Sequence, residues 1–104
     1  MHRSWPRWSS IGRARTALRN VQSTDAQELA PVELDRARSK FQRAEAAYAE
    51  EEYDDARRLA QESLADAELA AAKANAINAK RSAEELEKSI AVLRQEIERA
   101  RSGM

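Results

Sequence analysis

The sequence predicts an all-α protein: an antiparallel helical hairpin or three-helix bundle with a long C-terminal helix extending as coiled coil. Three observations carry that reading. From Tyr53 to about Arg101 there is neither proline nor glycine, and apolar residues return every three or four positions. Twenty-two of the 104 residues are alanine, against two glycines and two prolines, and alanine loses least on entering a helix. Charged residues make up 35% of the chain, many of them long straight-chain types that helices accommodate on their solvated faces.

The elements follow in order along the chain. Residues 1–10 show no helical period and contain Pro6, so they read as a flexible basic tail in which Ser9 or Ser10 is a candidate helix cap. A first helix is expected over about residues 11–22. Ile11, Ala14, Leu18 and Val21 recur on one of its faces, with Arg15, Arg19 and Gln22 on another. Ser23, Thr24 and Asp25 supply turn chemistry, and Pro31 suits the first turn of a new helix, where its missing N–H is not needed.

The second helix is expected over about residues 31–50. Leu34, Ala37, Phe41, Ala44 and Tyr48 keep the 3-4-3-4 spacing of helix-on-helix packing. Continuing that seam would bury Glu51 and Asp55, whereas the apolar pattern restarts out of phase at Tyr53, Ala56, Ala60, Ser63 and Ala67. Residues 50–55 therefore read as a tight turn, with Asp54 and Asp55 at the positive end of a third helix over about residues 53–101. The alternative is one continuous helix from Pro31 to Arg101. Residues 11–101 read as a single helical domain. The intrachain core is expected to contain Leu34, Phe41, Tyr48, Tyr53, Ala56 and Ala60, with Leu59, Leu64 and Leu69 filling against Leu34, Phe41 and Tyr48.

The third helix changes face along its length. Its first seam continues through Ala70, Ala74 and Ile77, and a second one runs through Ala83, Leu86, Ile90, Leu93, Ile97 and Ala100. At 1.5 Å per residue the second helix reaches ~30 Å and the third ~72 Å, so the distal half outruns its partner in the chain. Leu86, Ile90, Leu93 and Ile97, two heptads of coiled-coil spacing, are thus expected to mediate self-association or to bind another helical protein, unless the first helix covers them.

The chemistry of the sequence argues against catalysis. There is no cysteine and one histidine, His2, and no Ser-His-Asp set, glycine-rich phosphate loop or H-E-x-x-H motif. No enzyme activity, cofactor or metal is expected. The acidic run Glu50, Glu51, Glu52, Asp54, Asp55 lacks the glycine and spacing of an oxygen-ligand calcium loop and reads as a solvated turn. Pairs such as Asp54/Arg58 and Glu84/Lys88 are expected on exposed helix faces. No stretch approaches the roughly 18 apolar residues of a membrane span.

A zero formal charge conceals an asymmetry. Residues 1–24 hold five arginines and no acid, while the remainder has thirteen basic against eighteen acidic residues, a net of −5. The head, with Trp5, Arg7 and Trp8, has the composition of a membrane-surface binder; nucleic acid is the weaker expectation.

The segments Leu29-Ala-Pro-Val-Glu-Leu-Asp-Arg-Ala-Arg-Ser-Lys-Phe, Ala46-Ala-Tyr-Ala-Glu-Glu-Glu-Tyr-Asp-Asp-Ala-Arg-Arg-Leu-Ala and Asp66-Ala-Glu-Leu-Ala-Ala-Ala-Lys-Ala carry a resemblance. Over about residues 11–100 the chain resembles a bacterial domain-of-unknown-function family, number four-three-nine-eight. Its members typically belong to envelope lipoproteins of Gram-negative bacteria, often ahead of an OmpA-like peptidoglycan-binding domain. The resemblance implies a helical envelope module, placed in the periplasm or cell envelope. Two departures stand out. Family members usually carry a glycine before the turn tyrosine, where this chain has Glu51-Glu52, and they usually begin with a signal peptide and lipid-bearing cysteine. The head here has no apolar h-region, so export is not expected from the sequence as it stands, and peptidoglycan binding does not carry over.

Overall fold

The computed structural model describes residues 5–103, with side chains from Ser10 onward. Four helices account for nearly all of it: α1 (Trp5–Gln22), α2 (Ala26–Leu29), α3 (Pro31–Ala49) and α4 (Tyr53–Ser102). Among the described residues there is no strand. The residues divide into two compact units, one running to Ala74 and the other from Asn75. The first unit holds α1, α2, α3 and the N-terminal part of α4, and the second the C-terminal part of α4.

α1 begins earlier than its periodicity suggests. Residues 5–10 are helical rather than a loose tail, and Pro6 sits in the first turn, where a helix tolerates a residue without an N–H. The part of the expected tail at residues 1–4, and the side chains of Trp5 to Ser9, lie outside what is described. The turn chemistry at Ser23 and Thr24 acts as its composition implies. Ser23 Oγ donates to the Asn20 carbonyl at 2.7 Å and Thr24 Oγ1 to that of Val21 at 2.6 Å, while Thr24 Oγ1 accepts from the Ala26 N–H at 3.1 Å. One helical turn, α2, follows before Ala30, whose non-helical backbone (φ −140°, ψ 56°) ends α2 and starts α3. The sequence reading had no helix here.

The α3–α4 connection is a turn, so the chain is not one continuous helix from Pro31 to Arg101. Its geometry is a Schellman motif. Glu52 N–H donates to the Ala47 carbonyl at 2.8 Å and Glu51 N–H to that of Tyr48 at 3.0 Å, satisfying carbonyls that the helix end would leave unpaired. Glu51 takes the left-handed conformation the motif requires, with φ +62°. Glu52 then opens α4, its carbonyl accepting from Ala56 N–H at 2.9 Å. Asp54 and Asp55 follow in the first turn, where the helix dipole favours acids. Their ion pairs are Asp54–Arg57 and Asp55–Arg58, in place of the expected Asp54/Arg58 pair.

Within the first unit α3 runs antiparallel to both α1 and α4. Arg15, past the middle of α1, meets Glu45 of α3 at 3.3 Å, and Ile11, one turn earlier in α1, lies by Tyr48 and Ala49 at the end of α3. Lys40 and Glu33 of α3 meet Asp66 and Lys73 of α4 at 2.9 and 3.4 Å, which runs the two helices in opposite directions. The architecture is the three-helix alternative of the expected pair. Its core comprises Ile11, Ala14, Leu18 and Val21 from α1, Leu34, Ala37, Phe41, Ala44 and Ala47 from α3, and Leu59 from α4 with alanines 56, 60, 67, 70 and 74. Alanine at this frequency lets backbones approach closely. The clearest sign is Ser63, fully buried on α4, whose Oγ donates to the Ala37 carbonyl of α3 at 2.7 Å. Leu69 departs from expectation: it is 51% exposed, because α4 turns its alanine stripe, not its leucines, toward α3.

Candidate functional site

Each expected core residue has a definite place in the bundle. Leu34, Ala56 and Ala60 are fully buried and Phe41 nearly so. Tyr48 and Tyr53 are half-buried and face each other across the turn, ring centroids 5.1 Å apart and planes at 67°, an edge-to-face arrangement. The buried position at that end of α3 is Ala47 rather than Tyr48. The phenolic residues clasp the turn from outside while small residues occupy the interface.

Charged groups flank this core and fix the helix register. Lys40 lies between Glu62 and Asp66 of α4, at 3.6 and 2.9 Å. Hydrogen bonding to Asp66 raises the lysine's pKa above its ordinary value despite partial desolvation. Glu33, in the first turn of α3, is held below the ordinary carboxylate value by its hydrogen bond to the backbone and then by Lys73. Arg15 adds a contact of another kind, its guanidinium carbon 5.5 Å from the Phe41 ring centroid. Each of these groups is occupied in holding helices together.

Surface concavities offer little chemistry. A shallow open groove between α1 and α4 is lined by Arg13, Thr16, Ala17, Asn20, Leu64 and Glu68. A smaller one lies where Ile11 and Arg15 meet Glu45 and Tyr48. Neither is lined by a histidine or a cysteine. Among the described residues no group of three or more His, Asp or Glu side chains is placed to hold a metal ion. Among the same residues, no helix is long and apolar enough to cross a membrane. The expectation of a membrane-surface role for Trp5, Arg7 and Trp8 falls on side chains outside the description.

The second unit presents a different kind of surface. From Ala79 to Gly103 every described residue is exposed. Leu86, Ile90, Leu93 and Ile97 are 61%, 39%, 56% and 57% exposed, large aliphatics on a helix whose other residues are mostly charged. At 3.6 residues per turn the four fall within an arc of about 60°, and Ala83 and Ala100 widen it to about 100°. Val92, 51% exposed, lies on another side of the helix. The four residues expected to form an interaction seam therefore share one solvent-facing stripe. Burying side chains of this size is worth about 1.5–3 kcal/mol each, which gives the stripe a reason to be covered.

Two signals in the bundle were missed by sequence reasoning. Ser63 was placed on the core face by its spacing, but its role as a hydrogen-bond donor to α3 depends on how close two helices come. The short helix α2 leaves only the four residues Ala26–Leu29 between a turn and Pro31, too few for periodicity to register.

No curated protein and no solved structure matches this chain. One family model does, described as a domain of unknown function (DUF4398), and it covers residues 9–86. That span takes in the bundle from residue 9 of α1 onward and reaches Leu86, while Ile90, Leu93 and Ile97 lie beyond it. With three-quarters of its length matched, and with the Ala-Pro-x-Glu-Leu and Glu-Tyr-x-x-Ala-Arg segments forming the start of α3 and the turn into α4, the chain belongs to the DUF4398 family.

Proposed function

We propose that this protein is a non-catalytic structural and protein-interaction module, an envelope-associated helical spacer or assembly domain that engages another helix through Leu86, Ile90, Leu93 and Ile97. One observation carries the reading: four large aliphatic residues at heptad spacing share an exposed stripe, on a stretch of helix whose remaining surface, Val92 and a few alanines aside, is polar. The polar groups of the bundle support it from the other side, since Arg15, Glu33, Lys40 and Ser63 are each engaged in contacts that join one helix to another. The envelope assignment rests on the family resemblance.

The test is site-specific photocrosslinking in cells. A photoreactive amino acid at Ser89 or Glu96, beside the seam, should give an adduct of defined mass that disappears when Ile90→Glu and Leu93→Glu are introduced together. Absence of any adduct at both positions refutes the reading. Fractionating the same cells separates an envelope module from a cytoplasmic adaptor that uses the same seam.

A further inference from the structure

The seam's own residues narrow the choice of partner. Taking Ile90 and Ile97 as a positions of the heptad, Leu86 and Leu93 fall at d, with Ala83 and Ala100 continuing the a and d series. Isoleucine at a with leucine at d is the arrangement that favours two parallel strands, because a β-branched side chain packs well at a and a γ-branched one at d in that geometry. Trimers and tetramers prefer other distributions.

The flanking charges select among orientations. In this frame Glu87, Arg94 and Arg101 occupy e positions, and Ser82, Ser89 and Glu96 occupy g positions. When two copies lie parallel and in register, each g residue meets the e residue five positions further along its partner. The resulting pairs are Glu96 with Arg101, opposite in sign and formed twice by symmetry, and Ser89 with Arg94 and Ser82 with Glu87, which are neutral. No like charges meet. In the antiparallel arrangement that keeps the same core layers, Arg94 would meet Glu87, but Lys80 would meet Arg101 and oppose it. Charge complementarity therefore favours the parallel pair.

We propose that the seam's partner is a second copy of this chain, docked parallel and in register along residues 83–100. This rests on the reading of the seam as a helix-binding surface and goes further, by naming the occupant and its direction. Four large aliphatics per copy make a short interface, at the small end of those that hold proteins together, so the dimer is weak and concentration-dependent.

The chain contains no cysteine, so one introduced thiol reports orientation without interference. Sedimentation equilibrium of the purified full chain, over a hundredfold concentration range reaching the millimolar, should show monomer converting to dimer. Ile90→Glu with Leu93→Glu should hold the mass at monomer while far-UV circular dichroism still reports a helical chain. Under mild oxidation Ala100→Cys alone, and Ala83→Cys alone, should each form a disulfide-linked dimer, because like positions meet in the parallel pair. Glu96→Lys should weaken association several-fold, and adding Arg101→Glu should restore it. A monomeric mass at every concentration overturns the proposal. So does cross-linking seen only when the Ala83→Cys and Ala100→Cys proteins are mixed, the antiparallel result. A monomer in solution together with a seam adduct of different mass in cells overturns self-pairing and leaves the helix-binding reading standing. Loss of both removes both.

Discussion

Replacing Glu51 with glycine should stabilise the bundle by about 0.5–1 kcal/mol. Glu51 holds φ +62° to close the Schellman motif between α3 and α4, with Glu51 N–H bonded to Tyr48 and Glu52 N–H to Ala47. For a residue bearing a Cβ, this conformation costs about 1–2 kcal/mol, because Cβ crowds the backbone oxygen. Glycine removes that cost, but it loses about 0.5–1 kcal/mol through the greater freedom of the unfolded chain. The side chain is solvent-exposed, so no packing is given up. Urea unfolding followed by circular dichroism, at fixed low protein concentration, is the assay. With a slope near 1 kcal/mol per molar, at the lower end for small proteins, the midpoint should rise by about 0.5–1 M with the slope unchanged. Glu51→Ala is the decisive control, since it removes the charge and keeps the Cβ. If alanine stabilises as much as glycine, the gain comes from thinning the acidic run, and the backbone argument fails. An unchanged or lowered midpoint for glycine refutes it outright.

Four further outcomes are expected. Ser63→Ala should lower stability by about 1 kcal/mol, through loss of the hydrogen bond to the Ala37 carbonyl, and Ser63→Leu by more, since the close α3–α4 approach has no room for it; thermal unfolding of both measures the difference. Leu59→Ala should cost about 2–5 kcal/mol while Leu69→Glu stays within about 0.5 kcal/mol, one being buried and the other exposed, as denaturant midpoints will report. Glu33 has a folded pKa below its ordinary 4.5, so its contribution is present above that value and fades as pH falls through the depressed one; the stability gap between wild type and Glu33→Gln should narrow as acid titrations proceed below pH 4.5. Lys40 has the opposite sign. Its folded pKa lies above 10.5, so its stabilisation is intact below that pH and is lost as pH rises through the raised value, and Lys40→Met should flatten the alkaline limb of the stability profile.

The helices and the reversal between α3 and α4 were legible because periodicity of apolar residues reports directly on which face is buried. Leu34, Phe41, Ala56 and Ala60 fall where their spacing puts them. The phase break after Tyr48 also marked the turn, even without glycine or proline, since no uninterrupted helix could bury both halves of the pattern. What spacing could not rank was size. It gave Leu69 a core role and Ala47 none, because in an isolated helix the bulkier residue has more to gain from burial. The distance between helix axes, set by the alanines along α4, decides otherwise. The start of α1 at Trp5 escaped for a related reason: Pro6 disfavours a helix interior but not a first turn, and the two contexts look alike until the helix start is known. Spacing also put Leu86, Ile90, Leu93 and Ile97 on one face, and the structure leaves all four exposed.

Eleven of the seventeen buried apolar residues among those described are alanine, and this makes the bundle's response to mutation one-sided. Elsewhere in proteins the typical core lesion is truncation, which leaves a void. Here most interior positions have almost nothing to remove, and nearly every accessible change adds atoms to a space without vacancy. A saturation library of the first unit should therefore reject enlargements at the alanines of α3 and α4 far more strictly than substitutions at its leucines. Sequence drift would then be channelled into the charged exterior of the bundle, leaving its close-packed interface as the slowest-changing part of the first unit.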